Sequence, residues 1–212
     1  MGKFNQGILG GFSGKVGSVV GGNWKGISYM RGRAVSKKDA RTLQQLKQRS
    51  KFAIAITALQ PINAFARVGY KQYAHGQTAF NAAMSNTLKH AITGDYPNYM
   101  IDYPNLLVAR GSLTGVNATL PVASSGKIKF SWTNNSTIGE AQPTDNAMVL
   151  AINPAKGAAA YITQGAPRSA KSEMLAVSSF WAGDEVHTYL AFISEDGSEV
   201  ATSVYCGAVT VV

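Results

Sequence analysis

The chain has 212 residues, 45% of them hydrophobic and 15% charged, with a mean hydropathy of −0.03. That apolar content excludes a disordered chain, and a single cysteine, Cys206, excludes an intrachain disulfide. The net charge of +9 is uneven: residues 1–91 hold fourteen basic residues and one acidic, and residues 92–212 hold six basic and ten acidic.

Residues 1–35 are rich in glycine, but the glycines alternate with Phe4, Ile8, Phe12, Val16, Val20, Trp24 and Tyr29. This content predicts short strands, with a β-hairpin formed by residues 16–20 and 27–31 around a loop at 21–26. A two-stranded hairpin is marginal alone in water, so the arm is expected to dock on its own body or on a neighbouring chain. The apolar run 7–12 is broken by glycine and followed by Lys15, which does not fit an export signal. Gln6 stands where a myristoylation signal needs serine or threonine. No stretch reaches the ~18–20 apolar residues of a membrane span, so the expected location is the cytoplasm unless export is signal-independent.

Residues 36–104 read as a helical section and linker. Thr42 with Gln45 makes a capping box, and Ser36 with Asp39 is an earlier candidate start. The first helix runs over 43–59, with Leu46, Phe52, Ala53, Ile56 and Leu59 as its apolar face and Pro61 as its stop. Lys47, Arg49 and Lys51 sit in its more exposed first half. A short helix at 62–68 follows. A third at 78–92 carries Phe80, Met84 and Leu88 four apart, as a core stripe.

Residues 105–212 read as β. In 127–132, Ile128, Phe130 and Trp132 alternate with polar residues, the pattern of a half-buried strand. Strands 146–152 and 158–163 are joined by a Pro- and Gly-containing turn, and strands 186–194 and 199–205 by an Asp-Gly turn, with a last strand at 207–212. About seven short strands in this span are the signature of an immunoglobulin-like sandwich, giving an α+β chain overall.

Trp132 at the end of an early strand and the run 189–193 before a tight turn make this C-terminal half resemble fibronectin type III-like domains. A second resemblance covers nearly the whole chain. The opening run, with Phe12-Ser13-Gly14-Lys15-Val16-Gly17, then Trp24-Lys25-Gly26 and Tyr29-Met30-Arg31, is similar to a family of uncharacterised Bacteroidota proteins. Gln48-Arg49, Phe52, Tyr96-Pro97-Asn98-Tyr99 and Asp102-Tyr103 carry the same similarity. That resemblance implies an architecture, and it carries no catalytic residues.

The residues do not assemble a recognisable reaction centre. A phosphate loop around Lys15 fails because Leu9 stands at its first glycine and Val16 at its hydroxyl position. His75, His90, His187 and Cys206 have no metal-ligand spacing, and no nucleophile elbow occurs. The expectation is a non-enzymatic interaction protein without cofactor or metal, associating with itself or another protein through Phe12, Lys15, Val16, Val20, Trp24, Lys25, Tyr29, Arg31, Arg33, Lys37 and Lys38. The charge split would let the basic section of one copy meet the acidic half of another. The alternative is nucleic-acid or polyanion binding by the basic residues of 1–51, with aromatics stacking on bases.

Overall fold

A computed structural model describes the backbone of residues 2–3 and all of residues 11–35 and 42–212. The chain divides into two compact units, Met1–Thr42 and Leu43–Val212.

The first unit is an antiparallel sheet of β1 (Gly2–Lys3), β2 (Gly14–Val16), β3 (Val19–Trp24) and β4 (Ile27–Gly32), in the order β1-β4-β3-β2. The predicted hairpin is present, but its loop is shorter than expected. Residues 21–24 belong to β3, and only Lys25 and Gly26 turn the chain between the paired Trp24 and Ile27. Both turn residues have positive φ, 49° and 79°, as a type I′ turn requires. Asn23 Oδ1 supports the turn by accepting from the Gly26 N–H at 3.1 Å. Gly21 and Gly22 look like loop residues in sequence because nothing next to them shows what covers them. In the fold, the Phe12 ring occupies the space of a side chain at Gly21, and the Tyr29 ring lies 2.9 Å from where a Gly22 Cβ would be. A second tight turn at residues 17–18, with Gly17 at φ 57°, joins β2 to β3.

The second unit begins with α1 (Leu43–Leu59), α2 (Asn63–Gly69) and α3 (Ala79–His90). Thr78 caps α3, its hydroxyl accepting from Asn81 N at 3.1 Å. Met84 is buried, with Phe80 and Leu88 packed beside it, as their spacing predicts. The α1 stripe is corrected: Ala55 and Leu59 face the core, while Phe52 and Ile56 stay 44% and 37% exposed. Residues 52–59 are apolar nearly all the way round, so spacing alone does not select a face. Packing against α3 selects it.

The strands of this unit are β5 (Ile92–Thr93), β6 (Met100–Ile101), β7 (Val122–Ser124), β8 (Lys127–Ser131), β9 (Asn146–Asn153), β10 (Ala158–Ile162), β11 (Ser172–Ala176), β12 (Glu185–Ile193) and β13 (Val204–Thr210). They form antiparallel sheets in the orders β10-β9-β12-β13, β11-β8-β7 and β5-β6. The first of these is buried on both faces, which explains the unbroken apolar run of β9. Met148, Leu150 and Ile152 join a cluster with Leu59, Phe65 and Tyr70 of the helical section. Their alternates Ala147, Val149 and Ala151 join Ile128, Phe130, Trp132 and Leu175, so the two larger sheets share a core. The end of the chain departs from expectation. Beyond the Asp-Gly turn Val200 and Ala201 form isolated bridges to Ile193 and Leu113 rather than a strand, and the two expected last strands are replaced by one, β13. A bulge at Thr188/Tyr189 opposes Gly207, whose φ of 109° suits glycine. Strands β7 and β11 lie outside the predicted set; in β11 only Leu175 is fully buried.

One buried ion pair ties the β half together. Arg168, with no exposed surface, lies 3.2 Å from Asp145, donates to Asn135 Oδ1 at 2.6 Å and to Thr114 O at 3.0 Å, and rests 4.0 Å from the Phe192 ring centre. Desolvation lowers the guanidinium pKa, and Asp145 opposes that shift by charge and hydrogen bonding.

Candidate interaction surface on the N-terminal sheet

Side chains alternate between the two faces of a strand, and directly paired residues share a face. The pairs Lys15–Val20, Val20–Arg31, Gly22–Tyr29 and Trp24–Ile27 therefore place Lys15, Val20, Trp24, Ile27, Tyr29 and Arg31 on one side of the sheet. Five of these six are residues the sequence singles out; Ile27 is the addition. Phe12 and Val16 go to the opposite side, with Val19 and Met30. Lys25 occupies the turn, and Arg33 follows β4, its backbone N–H bonding Ser18 O at 2.7 Å. Lys37 and Lys38 lie outside the described residues.

The six-residue face combines an aromatic centre with cations near its margin. Gly22 gives the Tyr29 ring a seat across the strand pair, which holds that ring against the sheet. Trp24, at the hairpin end, is 51% exposed. Lys15 and Arg31 flank Val20 and form no ion pair among the described residues. Lys15 lies on β2, an edge strand of three residues; a short, charged edge resists uncontrolled strand pairing. This arrangement can bury apolar surface against a partner and pair cations with its acidic groups.

Two of the concavities in the second unit differ in character. An apolar groove of about 520 Å³ is lined by Ile54 and Ala58 of α1, Met100 and Tyr103, and Ile152 and Pro154 at the end of β9. A smaller polar pocket of about 140 Å³ lies between α3 and the segments carrying Tyr73 and Arg110. Next to the groove, His187 stacks on Tyr103 at 3.9 Å, with its Nδ1 2.9 Å from the Tyr205 hydroxyl. Burial holds the His187 pKa below its ordinary value, with Glu185 opposing the shift. Cys206 is buried, its thiol pushed up to about 12 by that burial, which makes it a packing residue rather than a nucleophile. Among the described residues, no three of His, Cys, Asp and Glu come together as a metal site would need, and no single helix is long and apolar enough to cross a membrane.

A family model described as a family of unknown function, DUF6266, matches residues 11–207, and the chain belongs to that family. No curated protein and no solved structure matches it.

Proposed function

We propose that this DUF6266 protein is a non-enzymatic interaction protein that associates through its N-terminal sheet, with a second copy of the chain as the occupant. The observation that carries this reading is the gathering of Lys15, Val20, Trp24, Ile27, Tyr29 and Arg31 on one face. A second copy fits by charge, because the basic residues concentrate in 1–91 and ten of the eleven acidic residues lie in 92–212. Contact between unlike surfaces is heterologous and can propagate from copy to copy. Residues 105–212 serve in this reading as a fibronectin type III-like body, a reading supported by two sheets sharing the core around Trp132.

Light scattering on the full chain tests the proposal. The wild type is expected above monomer mass at low salt and to dissociate as salt rises, while Trp24→Ser with Arg31→Glu is monomeric throughout. Equal masses for both proteins at every salt concentration would sink the idea.

The same face favours a second reading. Trp24 and Tyr29 beside Lys15 and Arg31 supply the stacking rings and cations used by proteins that bind single-stranded nucleic acid. Under this reading freshly purified protein carries excess absorbance at 260 nm, and log affinity for an oligonucleotide falls linearly with log salt. Protein free of nucleic acid, with no oligonucleotide binding at low salt, rejects it.

A further inference from the structure

The apolar groove of the second unit has the lining and the flanking charge that suit an aliphatic chain ending in an anion. One wall is an edge of α1, where Ala53, Ile54, Thr57 and Ala58, with Pro61 just beyond, recur at intervals of three and four. At 1.5 Å per residue that wall is about 12 Å long. The rest of the lining includes Met100 and Ile101 of β6, Tyr103, and Pro154 and Gly157 of the turn after β9. Stacking on His187 holds the Tyr103 ring in place. None of the lining side chains is charged, and two polar ones are used inside the protein. Thr57 Oγ1 donates to Ala53 O at 3.0 Å, while Asn153 donates to Asp184 at 2.8 Å and accepts from the Lys156 N–H at 3.0 Å. The volume of about 520 Å³ lies within the ~300–1,000 Å³ of small-molecule sites.

A cation marks one end. Lys51 precedes Ile54 and Ala58 by three and seven positions, on the same stripe of α1. Its Nζ lies 4.9 Å from the ring centre of Tyr99, the residue before β6. Lys51 is thus held between α1 and the segment leading into β6, the two elements that supply much of the lining. It forms no ion pair or hydrogen bond among the described residues, and an ammonium resting on a ring keeps donors for an anion. A protein segment in the groove would bring backbone N–H and C=O groups that need partners, which an apolar lining does not supply. An aliphatic chain has no such need.

We propose that the groove binds a straight-chain carboxylate, its aliphatic chain lying along α1 and its carboxylate paired with Lys51. Lys51 and Pro61 are about 15 Å apart at the helical rise, the reach of an extended chain of about ten to twelve carbons. The site is built from Leu43–Val212 alone and does not depend on the role of the N-terminal sheet.

Calorimetric titration of the full chain with octanoate, decanoate and dodecanoate tests it, with dodecyltrimethylammonium as the same chain of opposite charge. Saturable binding of one dodecanoate per chain is expected, with affinity rising about tenfold for each two methylenes added. Dodecanoate should bind more tightly than the ammonium. Lys51→Glu should lower that preference about fivefold, while Lys89→Glu, the same change of net charge on α3, leaves it within about twofold. Met100→Glu, on a side chain 65% exposed, puts a like charge in the groove and should weaken dodecanoate about tenfold. Affinity independent of chain length, uptake that does not saturate at one equivalent, or no binding of dodecanoate at millimolar concentration overturns the proposal. So does a preference that Lys51→Glu and Lys89→Glu change alike. A ligand-free Met100→Glu variant of lower mass than the wild type in light scattering would assign the groove to a second copy and overturn it too. Far-ultraviolet circular dichroism of each variant identifies loss of fold, and the wild-type chain-length series stands without the variants.

Discussion

Arg168 concentrates more polar interaction than any other buried side chain here, and its partners come from well-separated segments: Thr114, Asn135, Asp145 and Phe192. Its own carbonyl also accepts from the Trp132 indole N–H at 2.9 Å, which ties the ring to the same knot. Removing one member of a buried pair leaves the other charge uncompensated, whereas removing both can be far milder. Arg168→Met is therefore expected to lower unfolding free energy by about 3–5 kcal/mol. Arg168→Met with Asp145→Leu should recover part of that loss; urea denaturation midpoints measure both, and a double variant no better than the single would contradict the account. None of this is legible in the sequence. Pro167-Arg168-Ser169 has the look of a surface turn, and Asp145 stands 23 positions away. By contrast the alternation of Ile128, Phe130 and Trp132 is a local signal, and all three are buried as it predicts.

At the level of the element, the β3–β4 hairpin shows what local chemistry can and cannot specify. The strand residues on either side reveal the hairpin, but the turn pair is Lys25-Gly26 rather than the favoured Asn-Gly, so Gly21-Gly22 competes for the role of loop in the sequence. What settles it is non-adjacent: the rings of Phe12 and Tyr29 fill the space over these glycines. Gly21→Val would normally favour a strand, yet here the new side chain must displace the Phe12 ring and backbone. A cost of about 1–3 kcal/mol is expected, read as faster amide hydrogen exchange across β3 and β4. Gly32→Thr is the control. No atom lies within 4 Å of its would-be Cβ, so exchange should stay the same or slow. Equal effects at the two positions would show that ring cover is not what β3 relies on. The first helix teaches the same lesson, since its existence and its end before Pro61 follow from sequence while its buried face is chosen by α3.

For the molecule as a whole, the uneven charge was plain in the sequence, and the sharing of one core by helices and strands was not. The contacts that join them span long stretches of chain. Tyr189 donates to Tyr103 O across 86 positions, and the Ser203 hydroxyl accepts from Val108 N across 95. Periodicity within a window carries no information about such pairs. Both apolar clusters draw their buried residues from within Leu43–Val212, which leads to a separable outcome. Residues 1–42 contain eight basic residues and one acidic, so their removal takes the net charge from +9 to +2. It takes nothing from either buried cluster. The shortened chain is expected to unfold cooperatively, with a midpoint within a few degrees of the full chain, because the buried residues of both clusters are retained. It is also expected to stay monomeric where the full chain associates. Calorimetry and light scattering on the same preparation read the two properties independently. A shortened chain without a cooperative transition would mean that the first 42 residues stabilise the second unit directly. One that unfolds normally and still associates would move the interface off the N-terminal sheet.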